Sequence, residues 1–141
     1  MEQILKAIPH RPPFLFVENI VELTETRIKA TKKISPDEYF FKGHYPGNPI
    51  MPGVLTCEAI FQTGAILLSH IIGYAGDGTP VLTRISNAKF KNMVKPGDLL
   101  EMEAELVEKV GNAFFLKGKA SVAGKTAVTV EFAVTLAKPE P

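Results

Sequence analysis

Apolar and polar residues alternate with a period of two through most of the second half of the chain. Glutamates alternate with apolar residues over 101–107, and every even position from 128 to 136 is apolar. This alternation is typical of antiparallel strands with one buried and one solvated face. A further strand is expected over about 112–122. Turn sequences separate these strands at Pro96-Gly97-Asp98, Gly111-Asn112 and Ala123-Gly124-Lys125.

The first half of the chain predicts two helices and three strands. A short helix over 2–7 is stopped by Pro9, and strands are expected at about 14–21 and 26–34, where Lys32 breaks the alternation. Residues 54–72 are mostly apolar and predict one long helix. The run 73–78 should end it and lead into a strand from about 80 to 92. These elements predict a single α+β domain over 1–141, with an antiparallel sheet of five or six strands around the long helix.

Composition narrows the possible classes of protein. The chain has 141 residues, of which 45% are hydrophobic and 22% charged, so it can form a folded core. A net charge of +1 gives the protein no strong positive field that would favour binding to nucleic acid. The single cysteine, Cys57, excludes a disulfide scaffold and a multi-cysteine metal site, and we interpret it as a buried core residue. The first residues lack the basic region of a signal peptide, so a cytoplasmic location is expected.

The long apolar segment could also be interpreted as a membrane span. Residues 54–72 would form a helix about 28 Å long, close to the thickness of a bilayer core. Glu58, Gln62 and His70 lie within it, however, and ionisable groups are costly in lipid. A helix enclosed by a sheet explains the same pattern, so no membrane association is expected.

The most unusual stretch of the chain is the Pro/Gly-rich segment from Gly43 to Gly53. Its prolines make it stiff, and it leads directly into the long helix. The free N–H groups at the start of that helix, around Gly53 and Val54, could stabilise a carbonyl oxygen that gains negative charge. His44 lies in the stiff segment, although its residue type alone also allows a purely structural loop histidine.

Glu58 and Gln62 lie four residues apart on one face of the predicted helix. Gln62 can therefore orient the Glu58 carboxyl. A histidine base, a carboxylic acid and backbone donors together suit proton abstraction next to a carbonyl. The other two histidines are interpreted as structural. His10 is expected to form a structural hydrogen bond, and His70 to interact favourably with the negative end of the helix dipole. Their spacing does not predict a metal site.

These residues resemble a known family. The run from His44 through Gly53 and Glu58 to Gln62 closely resembles the active-site signature of the FabZ-type (3R)-hydroxyacyl-[acyl-carrier-protein] dehydratases of type II fatty acid synthesis. Segments 4–17, 40–43 and 89–98 resemble further blocks of that family. The resemblance implies a hot-dog fold, in which a curled antiparallel sheet wraps one long central helix. It also implies a homodimer, in many members a trimer of dimers, with each site built from the histidine of one subunit and the glutamate of the other.

The resemblance also implies a mechanism. His44 would remove the α-proton of a 3-hydroxyacyl thioester, Glu58 would protonate the departing hydroxyl, and Gly53 with Val54 would polarise the thioester carbonyl. Gln62 would support Glu58. The product would be a trans-2-enoyl thioester, formed without metal or organic cofactor.

Four basic residues suggest where the substrate carrier docks. Arg84, Lys89, Lys91 and Lys95 fall on one predicted strand and the turn after it. They are either an ordinary solvated strand edge or a docking site for an acidic acyl carrier protein that bears a phosphopantetheine-linked substrate.

The sequence leaves three alternative functions open. A hot-dog acyl thioesterase would not need His44, and a non-catalytic binding module could lack either catalytic side chain. An isomerising FabA-type dehydratase carries aspartate where this chain has Glu58, so the resemblance favours the simple dehydratase.

Overall fold

The computed structural model of the protein describes residues 1–73 and 79–137. The helical elements within these ranges are α1 (Glu2–Ala7), the 3₁₀ helix η1 (Tyr39–Lys42) and α2 (Gly53–Ile72). The strands are β1 (Asn19–Leu23), β2 (Arg27–Lys33), β3 (Thr79–Phe90), β4 (Leu99–Val110), β5 (Ala113–Val122) and β6 (Lys125–Ala137). They form one antiparallel sheet in the order β1-β2-β4-β5-β6-β3, with β1 and β3 at its edges.

Helix α2 lies against one face of this sheet and contacts β2, β3, β4, β5 and β6. A sheet that contacts one helix with five strands must curl around it. The even-numbered residues predicted to face inward are buried along β6, from Val128 to Val134. The helix packs tightly against Gly118 of β5, where a Cβ atom would overlap the Ile60 side chain. The predicted fold class is confirmed: this is the hot-dog fold.

The burial of α2 also decides between core helix and membrane span. Among the described residues, α2 alone is long and apolar enough to cross a membrane, with a mean hydropathy of 1.4 over its most apolar window. More than half of that window, 56%, is buried inside the protein itself. The helix is therefore the core helix of the hot-dog fold, and its apolar character is explained by the sheet around it.

Strand β1 begins later than the sequence pattern predicts, at Asn19 instead of about residue 14. The reason is a helix side chain. The amide of Gln62 accepts a hydrogen bond from Phe16 N (2.8 Å) and donates one to Phe14 O (2.9 Å). These backbone groups are therefore bonded to α2, and the first backbone bond to β2 is Glu18 N to Thr31 O.

The other differences are smaller. Strand β4 extends to Val110, because its pairing with β5 continues to the turn at Gly111. Strand β3 ends at Phe90, not at residue 92. The predicted turns after β3, β4 and β5 are present, and Gly111 and Gly124 have φ angles of +61° and +81° that favour glycine. The turn predicted over 73–78 lies, beyond Gly73, outside the described residues.

Lys32, which breaks the alternation of β2, is buried on the core side of the sheet. Its side chain is 8% exposed and its ammonium lies 3.2 Å from the carboxylate of Glu38, which is 15% exposed. The same carboxylate accepts a hydrogen bond from Ser35 N. This buried ion pair connects β2 to the start of η1, the element that leads into the segment around His44.

Candidate active site

His44 lies in a turn whose backbone is fixed at both ends. Its own N–H donates to Phe40 O at the end of η1 (3.2 Å), and Asn48 N donates to Tyr45 O within the turn (2.8 Å). Further along, Met51 N donates to Val94 O (2.7 Å), which attaches the segment to the chain after β3. The stiffness predicted from the prolines is therefore reinforced by hydrogen bonds to two other parts of the fold.

The imidazole of His44 has a defined tautomer. Its Nδ1 lies 2.8 Å from the carbonyl oxygen of Ile50. A carbonyl oxygen can only accept, so Nδ1 must carry the proton. In the neutral ring, Nε2 then has a free lone pair and can act as a base.

Backbone donors lie at the start of α2, next to His44. The first hydrogen bonds of the helix run from Leu55 N and Thr56 N to Pro52 O, so the N–H groups of Gly53 and Val54 have no acceptor within the helix. A Cβ added at position 53 would lie 2.7 Å from two ring atoms of Phe90, so the ring or the helix start would have to shift.

His44, Gly53 and Val54 line one cavity of about 410 Å³. The apolar residues Ile50 and Met51 also line it, whereas Phe61 of α2 packs against Phe132. The remaining lining residues are mostly apolar and come from the helix start, the end of β3, the segment after it and the neighbouring strand β6: Pro52, Thr56, Phe90, Asn92, Met93, Val94 and Val128. The cavity therefore combines a base and backbone donors with walls suited to an acyl chain.

Glu58 is held by a different set of contacts. It is half-buried on α2, and its Oε2 accepts a hydrogen bond from Gln62 Nε2 (3.1 Å). Gln62 is 1% exposed and uses its whole amide, since it also bonds the backbone of Phe14 and Phe16. Because Phe16 N can only donate and Phe14 O can only accept, the Gln62 amide has one possible orientation. The predicted contact between Gln62 and Glu58 is present.

One chain does not bring Glu58 and His44 together. Glu58 is absent from the residues that line the His44 cavity, and its polar neighbours are Gln62 and His10. Within one chain the predicted site is thus divided into a His44 half and a Glu58 half.

His10 is a site neighbour that the sequence interpretation missed. It was expected to be a structural hydrogen bonder, yet among the described residues its shielded Nδ1 has no hydrogen-bond partner. Its Nε2 instead lies 3.7 Å from Glu58 Oε2. The signal available in the sequence was the stiff run Pro9-His10-Arg11-Pro12-Pro13, which resembles the loop around His44 in its proline content.

The four basic residues considered for carrier docking are all exposed. Arg84 and Lys89 pair with Ala133 and Thr129 of β6, whereas Leu82, Ile85 and Phe90 pair with the inward-facing residues of that strand. Two irregularities in β3 therefore keep Arg84 and Lys89 on the outer face. Lys91 and Lys95 follow the strand, and none of the four has an ion-pair partner in the described part of the chain.

Two other predicted residues have ordinary structural surroundings. Cys57 is buried, and this burial raises the pKa of its thiol, as expected for a core residue and not for a nucleophile. His70, in the last turn of α2, lies 3.5 Å from Glu25. Residues 1–73 and 79–137 contain no group of three or more His, Cys, Asp or Glu side chains arranged to hold a metal ion.

The outer face of the sheet carries a separate network of charges. Glu103 of β4 contacts Arg27 of β2 and lies 3.3 Å from Lys119 of β5. Burial alone would raise the pKa of Glu103, but hydrogen bonds and charge from Arg27 and Lys119 outweigh it and lower that pKa. This network lies on the face of the sheet opposite to α2, and therefore away from the His44 and Glu58 halves of the site.

Comparison with known proteins identifies the family. Residues 8–131 match the family of FabA-like domains. The chain is 43% identical to 3-hydroxyacyl-[acyl-carrier-protein] dehydratase FabZ from Petrotoga mobilis, over 98% of both chains. It is 45% identical to the FabZ dehydratase from Erythrobacter litoralis, over 99% of this chain and 93% of that protein.

Solved structures show the same fold at much lower sequence identity. The dehydratase heterocomplex ApeI:P from Xenorhabdus doucetiae superposes with a TM-score of 0.79 at 15% identity, covering 97% of this chain and 91% of that one.

The sequence match to the two FabZ proteins extends over nearly their whole length, including the segments that hold His44, Glu58 and Gln62. The chain therefore belongs to the FabA-like family and, within it, to the FabZ-type 3-hydroxyacyl-[acyl-carrier-protein] dehydratases.

Proposed function

We propose that this chain, acting as one hot-dog domain over residues 1–141, dehydrates (3R)-hydroxyacyl-[acyl-carrier-protein] to trans-2-enoyl-[acyl-carrier-protein] in cytoplasmic type II fatty acid synthesis. One observation carries the choice of base: the hydrogen bond from His44 Nδ1 to Ile50 O, which leaves Nε2 free in the same cavity as the N–H groups of Gly53 and Val54. A base beside backbone donors suits removal of a proton next to a thioester carbonyl.

The reaction divides between the two half-sites. His44 Nε2 takes the α-proton, and the electron pair of that C–H bond moves toward the thioester oxygen, where the Gly53 and Val54 N–H groups stabilise the negative charge. The pair then forms the carbon–carbon double bond as the 3-hydroxyl leaves. Glu58 protonates this hydroxyl, so that water departs. Because the thioester already acidifies its α-carbon, the mechanism uses no metal or organic cofactor.

A homodimer unites His44 of one subunit with Glu58 of the other. Support comes from β3, which forms one edge of the sheet and exposes apolar side chains: Val81 (42%), Leu82 (38%), Ile85 (52%) and Phe90 (57%). An apolar edge strand is suited to pairing with a second copy. Phe90 also lines the His44 cavity, so a subunit bound along β3 would reach the mouth of that cavity. Further assembly to a trimer of dimers follows the family pattern.

The acyl carrier protein docks on the basic residues Arg84, Lys89, Lys91 and Lys95. Lys91 directly follows Phe90, which lines the cavity, whereas Lys89 lies on the outer face of the sheet. Lys89→Glu combined with Lys91→Glu should lower kcat/KM for carrier-bound substrate at low salt and have little effect at high salt. Lys6→Glu combined with Lys109→Glu changes the net charge equally and should leave kcat/KM near wild type. An unchanged kcat/KM in the first variant would refute this docking site.

Mass spectrometry of the products tests the proposed activity. The purified protein is incubated with (3R)-hydroxyacyl-[acyl-carrier-protein], and in parallel with the corresponding enoyl substrate. Loss of one water in the first reaction and its addition in the second support the dehydratase, and His44→Ala and Glu58→Gln should each abolish both. Release of free acid would identify a thioesterase, and a shifted double bond would identify an isomerising dehydratase. Substrate that is bound but unchanged would identify a binding module.

A further inference from the structure

His10 is held rigidly beside Glu58 by contacts that involve its neighbours in the chain. Arg11 follows it and donates from Nη1 to Ile8 O (2.9 Å) and His10 O (2.7 Å), and from Nη2 to Leu5 O (2.9 Å). Pro9 precedes it and restricts the backbone further. The position of the imidazole is therefore determined by the fold after α1, and its orientation toward α2 needs a separate explanation.

The ring of His10 has one nitrogen shielded from solvent and one that faces the Glu58 carboxyl. Nδ1 has no hydrogen-bond partner in the described part of the protein, whereas Nε2 lies 3.7 Å from Glu58 Oε2. A proton on Nδ1 would be a buried donor without an acceptor, which is costly. The favourable tautomer of the neutral ring therefore carries its proton on Nε2, directed at Glu58. His44 has the opposite tautomer.

Two donors then converge on the same oxygen of Glu58. Gln62 Nε2 donates to Oε2 at 3.1 Å, and His10 Nε2 faces that oxygen from 3.7 Å. The second distance exceeds a hydrogen bond, and a small rotation of the carboxyl on substrate binding would bring the two groups within hydrogen-bond distance. An oxygen that faces two donors must act as an acceptor, so the acidic proton of Glu58 belongs on Oε1.

We propose that His10 is a positioning residue for Glu58, an inference that rests on the proposed dehydratase function. Its Nε2–H, together with the amide of Gln62, keeps the acidic proton on Oε1, the oxygen left for the substrate. In the reaction the Oε1–H bond breaks and the proton goes to the 3-hydroxyl oxygen. The carbon–oxygen bond then breaks with its electron pair on the departing water. Both donors stabilise the carboxylate that remains.

Kinetics of His10 variants test this role. His10→Phe keeps a planar ring but removes the donor, and it should lower kcat for dehydration about tenfold with KM nearly unchanged. His10→Gln restores an N–H near the place of Nε2 and should recover most of the lost kcat. His70→Phe is the matched control, because His70 also faces a glutamate, Glu25, but at the far end of α2. It should leave kcat at the wild-type value.

Three kinetic outcomes would overturn the proposal. They are a wild-type kcat in His10→Phe, a His10→Gln enzyme as slow as His10→Phe, and a rise in KM at unchanged kcat. Melting temperatures of all variants are measured alongside, so that a loss of folded protein is recognised. If His10→Phe does not fold, the spectroscopic test that follows decides.

Nitrogen-15 NMR of the histidine side chains supplies a test that needs no activity. In the wild-type protein, His10 should show the tautomer protonated at Nε2, and Glu58→Ala should shift its Nε2 resonance without moving those of His70. A proton on Nδ1, or no response to Glu58→Ala, would contradict the proposal. Failure of the wild-type protein to release water from substrate would instead refute the proposed function, so the two failures are distinguishable.

Discussion

The two halves of the site are built by different means. The His44 half is held by the backbone: carbonyl oxygens of Ile50 and Phe40 receive the ring and main-chain N–H groups of His44, and the helix start supplies free N–H groups. The Glu58 half is held by a side chain, the buried amide of Gln62, and His10 Nε2 lies 3.7 Å from the same carboxyl oxygen. The proposed base therefore depends on the path of a stiff segment, whereas the proposed acid depends on contacts with particular side chains.

This difference explains why one residue type can serve two roles. In His44 the backbone acceptor takes the proton of Nδ1 and leaves a basic Nε2. In His10 a shielded Nδ1 without a partner favours a proton on Nε2, which turns the ring into a donor. Substitutions that alter backbone geometry should therefore damage the His44 half, and substitutions that remove side-chain donors should damage the Glu58 half. The predictions that follow are ordered by their expected effect on activity.

Apart from loss of His44 or Glu58 themselves, the largest effect is expected at Gly53. In Gly53→Ala the new methyl group would lie 2.7 Å from Phe90 ring atoms, so the helix start or the ring must shift. Misplacing a donor to the developing oxyanion should lower kcat about a hundredfold. Gly47→Ala is the matched control, because a Cβ there meets open space, and it should retain nearly full activity in the same assay. Equal kcat values in the two variants would contradict a role for the Gly53 N–H.

The next effect is expected at Gln62. Gln62→Ala removes three hydrogen bonds and leaves Phe16 N and Phe14 O without their acceptor and donor. The free energy of unfolding in urea should fall by about 3 kcal/mol, and kcat should fall about tenfold because Glu58 loses its donor. Gln62→Glu separates the two roles, since it keeps an acceptor for Phe16 but loses the N–H groups. A wild-type kcat in folded Gln62→Ala would show that the acid does not need this contact.

A smaller effect on activity, but a clear one on stability, is expected at Glu38. Glu38→Ala leaves the buried ammonium of Lys32 without its partner, which should cost about 3 kcal/mol of unfolding free energy. Because Glu38 precedes η1, which leads to His44, kcat should fall only severalfold. The exposed pair of Glu2 with Lys6 provides the control, since Glu2→Ala should leave stability unchanged. Equal unfolding midpoints for the two variants would refute the importance of the buried pair.

The smallest effect on activity is expected on the outer face of the sheet. The lowered pKa of Glu103 means that its contribution to stability is present at neutral pH and is lost as the pH falls through that pKa. Glu103→Gln should therefore unfold more easily than wild type at pH 7, and the difference should shrink below about pH 4. Its kcat should not change, and Glu101→Gln on the same strand should match wild type in urea unfolding. A difference that grew toward low pH would contradict the assigned sign.

Much of the fold was predictable because its signals are local. The alternation along β4 and β6 and the apolar run of α2 identify the elements, and their burial in the structure agrees with the pattern. The start of β1 was not predictable, because it depends on hydrogen bonds from the backbone of Phe14 and Phe16 to the side chain of Gln62. Gln62 lies 46 positions after Phe16 in the chain. Lys32 was visible as an exception, but its partner Glu38 only becomes evident in three dimensions.

The candidate site shows the same division. His44, Gly53, Glu58 and Gln62 stand out by spacing and by family resemblance, because the chemistry needs those residue types close together in the chain. The proline-rich run around His10 marks it as unusual, but its partner could not be assigned from the sequence, since the contact with Glu58 joins the segment after α1 to α2. The separation of His44 from Glu58 within one chain also depends on the fold, although the family resemblance predicted shared sites.

The central claim is that His44 of one subunit and Glu58 of the other form each site, and mixing two inactive variants tests it most directly. A dimer of His44→Ala with Glu58→Ala contains one site with both wild-type residues and one with neither. If subunits exchange at random, half of the dimers are mixed, and activity should return to about a quarter of the wild-type rate. Recovery to that level is the predicted result. If the mixture stays as inactive as each variant although mass spectrometry detects mixed dimers, the shared site is wrong.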